Sequence, residues 1–67
     1  MNRETLVAEI ERLLDEAAAA NPHFAQGARR LFDAKLLNEA PITELADWLE
    51  TLRGAIIAVR LYTKIDL

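Results

Sequence analysis

Few side chains in this chain could carry out chemistry. They are a single histidine, His23, and carboxylates set close together, Glu11 with Asp15 and Asp15 with Glu16. A histidine can exchange a proton near neutrality, and paired carboxylates can share general acid and base roles. His23 directly follows Pro22 at an expected helix start, which suits a solvated or capping residue. The carboxylates share a surface helix with arginines at helical spacing, as an ordinary charged face does. Serine and cysteine are absent, as are a glycine-rich phosphate loop and an HExxH pair, so the usual nucleophile and metal motifs are missing. No catalytic residue, cofactor site or metal ligand is assigned, and a non-enzymatic protein is expected.

The recognition chemistry that remains is apolar. Residues 54 to 62, GAIIAVRLY, hold five consecutive apolar residues from Ala55 to Val59. The chain has 67 residues, enough for one small domain spanning 1–67. A domain of that size buries only about 60% of its unfolded surface and holds a thin stability margin. Such scaffolds are usually reinforced by disulfides, a metal or a partner chain. Without cysteine and with one histidine, tight helix packing or oligomerisation is left.

The 52% apolar content beside 28% charged residues fits a folded domain, and the serine-free composition with two glycines and two prolines is helical with little loop. A net charge of −3 argues against general nucleic-acid or anionic-membrane binding. No stretch approaches the roughly 18 apolar residues that span a bilayer. The start, MNRETLVAEIERLL, carries acidic residues at once and no signal-peptide core, so a cytoplasmic protein is expected.

Three helical segments follow from the periodicity. In the first, about 3–20, Leu6, Ile10, Leu13, Ala17 and Ala20 share one face, widened by Val7, Leu14 and Ala18. Asn2 is placed to cap it, and Pro22 forces its end at Asn21. The second, about 23–38, has Phe24, Ala28, Leu31, Phe32 and Leu36 on its apolar face, with Asn21 as cap. Gly27 lies one turn in, where it would permit a close helix crossing. The third and longest, about 41–62, has Leu45, Trp48, Leu52, Ala55, Val59 and Tyr62 in heptad-like spacing, broadened by Leu49, Ile56 and Ile57. Its end also alternates as a strand would, from Ile57 through Ile65, but a single strand would need an intermolecular partner. The expected fold is all-α, a small antiparallel bundle of three segments, oligomeric, with Trp48 at its centre. Gly54 reads as a second close-approach point, and Arg60 as a side chain carrying its charge past an apolar edge to water.

Charge falls in blocks. Glu44, Asp47 and Glu50 occupy the start of the third segment, and Arg53, Arg60 and Lys64 its end. This complements the helix dipole, and it would also match acid to base if two such helices lay antiparallel.

Two resemblances bear on function. ITELADWLETLRGAIIAV partly resembles the bacterial helix-turn-helix, with Ala46 after Leu45 at the small position of its first helix and Ile56 and Val59 at core positions of its second. Glu50 stands where that family usually has the turn glycine, and TLRGAIIAVR offers almost no polar side chains to base edges, so one continuous helix is expected. LETLRGAIIAVRLY looks like the ending of the small two-helix chaperones of type III secretion needle subunits, which are of similar length; the middle segment bounded by Pro22 departs from that pattern. The reading is therefore a small adaptor, chaperone-like or regulatory subunit that binds a second copy, as a homodimer, or another protein. Its expected interface is Leu45, Trp48, Leu52, Ile56, Ile57, Val59, Leu61 and Tyr62. The rival is a dimeric DNA-binding transcriptional regulator that touches DNA with Arg29, Arg30 and Lys35.

Overall fold

The computed structural model describes residues 2–65, with side chains through residue 61. The described residues form four helices, α1 (Arg3–Ala20), α2 (Pro22–Leu31), α3 (Ala34–Glu39) and α4 (Ile42–Ile65), and no strand. The all-helical expectation holds, but the count is four instead of three.

The extra helix comes from Asp33. Its carboxylate accepts a hydrogen bond from the Leu36 amide at 2.9 Å, the geometry of a helix cap. Phe32 closes α2 with ψ at +57°, and Asp33 is extended at ψ 174°, so the chain turns there instead of running on to Asn38. The turn changes which leucine is buried. Leu37 enters the core while Leu36, the residue in phase with an unbroken helix, stays half-buried.

The other boundaries follow ordinary capping. The Asn2 side chain accepts from the Thr5 amide at 2.8 Å. Asn21 serves two helices at once. Its own amide closes α1 on the Ala17 carbonyl at 2.7 Å, and its side chain accepts from the Phe24 amide at 3.1 Å to open α2. Pro22 occupies the first helical position of α2, where its missing N–H costs nothing. At the far end α4 continues as helix through Ile65, so the alternating pattern of residues 57 to 65 forms no strand.

Helix α1 is the centre of the packing and pairs with both α2 and α4. The Arg3 guanidinium lies at the C-terminus of α3, just before α4 begins, donating to the carbonyls of Leu37 at 2.7 Å and of Ala40. Those carbonyls lack helical donors, and a cation suits the negative end of a helix dipole. At the opposite end Glu16 of α1 pairs with Arg60 of α4. Helices α1 and α4 therefore run in the same direction, and α2 runs back along α1. The expected antiparallel arrangement holds for α1 and α2 but not for α1 and α4, because α2 and the short α3 together return the chain to the start of α1. The molecule is elongated, 40 × 19 × 14 Å, because the 24 residues of α4 extend about 36 Å.

The core joins Leu6, Ile10, Leu13, Leu14 and Ala17 of α1 to Leu45, Leu49, Leu52 and Ile56 of α4, closed by Ala25, Phe32, Leu37 and Ala40. Leu6, Ile10, Leu14 and Leu45 are its most enclosed side chains. Trp48 is half-buried and packs at the margin, so it is not the centre the sequence suggests. The buried stripe of α4 is rotated from the expected one toward Leu49 and Ile56, because α1 lies on that side. Neither glycine is a close-approach point. A Cβ built on Gly27 or on Gly54 meets nothing within 4 Å.

Candidate association surface

Helix α4 presents two unlike sides. At 100° per residue, Leu45, Leu49, Leu52 and Ile56 fall within one narrow arc, and that arc is sealed against α1. On the outer half, over the three turns from Thr51 to Leu61, lie Thr51, Gly54, Ala55, Ile57, Ala58 and Leu61. None of these six is charged. Ile57 is 60% exposed and Leu61 54%.

The two arginines of this stretch are both held by carboxylates. Arg53 pairs with Glu50 at 3.2 Å. Arg60 reaches Glu16 of α1 instead of extending to water alone. Glu16 also accepts from Arg12 at 3.4 Å, and Arg12 bonds Glu9, so a chain of alternating charges runs along that flank. Each such exposed pair contributes little, about 0–1 kcal/mol. The uncharged part of the outer face is the stretch from Thr51 to Leu61, with Asp47 and Glu50 at its N-terminal edge.

Beside that face lies a cleft between α2 and α4. It has a volume of about 390 Å³ and is lined chiefly by Phe24, Gly27, Leu31, Phe32, Trp48 and Ala55. Phe32 and Trp48 meet edge to face, with centroids 5.5 Å apart and ring planes at 84°. Leu31, on the α2 wall, is 48% exposed. The cleft is open because α2 and α4 each pack on α1 and do not close on one another. His23 stands at its edge, exposed.

The eight residues expected at an interface thus divide. Leu45, Leu52 and Ile56 are covered by the chain's own core. Trp48 and Val59 are half-buried, and Ile57 and Leu61 are exposed. The Tyr62 side chain lies outside those described. Residues that the sequence reading passed over as surface are Thr51, Ala58 and the cleft wall at Leu31. The signal that could have found them is the lack of any charge on one side of α4 between Thr51 and Leu61.

The other candidates are dispersed. Asp15 pairs with Arg29 on α2, and Glu16 with Arg12 and Arg60, so the clustered carboxylates hold separate arginines. Among the described residues no three His, Asp or Glu side chains are grouped to hold a metal ion, and no charged or polar side chain is buried. Arg29, Arg30 and Lys35 are exposed, on two different helices. The segment that resembles a helix-turn-helix is one uninterrupted helix, with Glu50 at mid-helix where a turn would be required. Among the described residues no helix is long and apolar enough to cross a membrane.

No protein-family model, curated protein or solved structure matches this chain.

Proposed function

We propose that the protein is a non-catalytic helical association module of the cytoplasm, an adaptor, chaperone-like or regulatory subunit. It binds another protein surface, its own or a second chain's, through the outer face of α4 and the adjoining cleft. The observation that carries this reading is the uncharged outer stretch of α4 from Thr51 to Leu61, where Ile57 and Leu61 are more than half exposed, together with the apolar cleft walled by Leu31 and Trp48 on its α2 side. Contiguous exposed apolar surface of this kind marks docking sites in folded proteins, and an apolar groove between helices commonly receives a further helix. Burial of that surface contributes about 25 cal/mol per Å², without any reacting group.

The test compares the wild-type chain with an Ile57→Asp/Leu61→Asp double variant as bait in the native host. Both substituted positions are exposed, so the fold should survive, as circular dichroism would verify. A protein retained by the wild type and lost by the variant supports the reading. Retention of the same proteins by both, or a monomeric wild type that retains nothing, overturns it.

A further inference from the structure

We infer that residues 33–40 form a strap, latched by the Arg3 side chain, that opens and shuts as a unit while α1, α2 and α4 stay folded. Three features of the corner between α2 and α4 carry this.

The first is how little holds the segment by itself. Helix α3 has six residues, under two turns, and a helix that short does not persist in water without support. Its amide bonds are local, from Leu37 to the Asp33 carbonyl at 3.1 Å and from Ala40 to the Leu36 carbonyl at 3.0 Å. Helix α1 packs along α2 and α4, whereas α3 has no extended packing on any other helix. Leu37 and Ala40 are the buried side chains of the segment, and Ala34, Lys35, Asn38 and Glu39 face solvent.

The second is the latch. Among the described residues, the side-chain hydrogen bonds that tie this segment to another helix both come from one group. The Arg3 guanidinium donates to the Leu37 carbonyl at 2.7 Å and to the carbonyl of Ala40. Both bonds are partly buried and carry the donor's charge, which makes each stronger than a neutral one. When the strap swings out, guanidinium and carbonyls both reach water, so opening strands no polar group.

The third is a pair of hinges. Asp33 and Ala40 flank α3 in extended backbone, with ψ at 174° and 145°. Helix α2 ends on its own bond from the Phe32 amide to Ala28, and α4 begins with the Leu45 amide on Pro41 at 3.0 Å. Neither bond depends on α3. The core takes only Leu37 and Ala40 as buried members from the segment. Opening bares these two and uncovers the end of the core where Leu6 and Leu45 lie, one turn inside α1 and α4. Local openings of this kind cost less free energy than global unfolding.

Native-state amide hydrogen exchange on the whole chain, read residue by residue by NMR, tests the strap. In the wild type the Leu37 and Ala40 amides should exchange faster than those of Leu14 and Leu49. Their exchange should also respond less to low urea, since a local opening exposes little surface. Arg3→Met keeps the apolar stem and removes the donors. It should speed exchange at Leu37 and Ala40 by at least about tenfold, and at Leu14 and Leu49 by much less. A lysine-specific protease gives a second reading, because Lys35 is the single lysine between residues 1 and 63. Cleavage there should quicken by a similar factor in Arg3→Met. The wild-type comparison decides the matter even if that variant fails to fold: Leu37 and Ala40 amides exchanging at the core rate, with the core's urea response, overturn the strap. So does a folded Arg3→Met that shifts all four amides alike, or none, or that leaves cleavage at Lys35 unchanged.

Discussion

The two sides of α4 meet opposite fates. Toward α1, Leu45, Leu49, Leu52 and Ile56 are sealed in a core. Toward α2, Trp48 and Ala55 are half-buried above an open cleft, and beyond them Ala58, Ile57 and Leu61 face solvent. Composition does not separate the two sides, since both are apolar. The difference is length. Helix α1 has 18 residues and follows α4 for about 27 Å, whereas α2 has 10 and reaches about 15 Å. An apolar stripe becomes core only where the chain supplies an element long enough to lie on it.

The largest expected contrast comes from truncating a side chain on the sealed side. Leu45→Ala or Ile10→Ala should cost about 2–5 kcal/mol, comparable to the roughly 3–5 kcal/mol that a core of this size supplies. Urea titration followed by circular dichroism should then find little folded protein in dilute buffer. A variant that melts like the wild type would break the distinction between the sides. On the open side, Trp48→Ala should cost about 2 kcal/mol, less than a fully buried aromatic, because part of its surface already meets water and only the edge-to-face contact with Phe32 and the margin of the core are lost.

At the corner that fixes where α2 begins, Asn21→Ala should cost about 1 kcal/mol, read as a fall of about 4–8 °C in the melting midpoint. The smallest effects should be gains. Gly27→Ala and Gly54→Ala, both in helical backbone with no positive φ and with open space for a methyl group, should each stabilise the dilute monomer by about 0.5–1 kcal/mol. Loss of stability at either position would mean the space is filled, and the open side is not open.

Much of this fold is legible in the sequence where a rule acts locally. The face of α1, the caps Asn2 and Asn21, and the stop at Pro22 all come from spacing and side-chain chemistry within a few residues. Asp33 was legible in principle, as a capping residue type in front of a short apolar run, but an unbroken count from Phe24 to Leu36 is equally regular and hides it. The position of Trp48 was not legible. A tryptophan in a heptad-like series reads as core, and only the placement of α1 on the Leu49 and Ile56 side moves it to the margin. The glycines misled for a related reason. Glycine permits close approach but does not require it, and no neighbouring element comes near Gly27 or Gly54. For the candidate surface, the excess of apolar residues near Ile57 and Leu61 could be counted in advance. Which of them face outward could not, because that depends on which side of α4 the α1 helix covers.

Asn21 leaves no linker between α1 and α2. The angular phase of one helix is therefore transmitted to the other, as through a rigid coupling. Each residue inserted at this corner would rotate α2 by about 100° about its axis, swinging Ala25 out of the core and carrying Leu31 away from the cleft. The groove beside α4 is thus set through the single residue that joins α1 to α2, just before His23 at its edge, and insertions that other surface turns would tolerate should be excluded here.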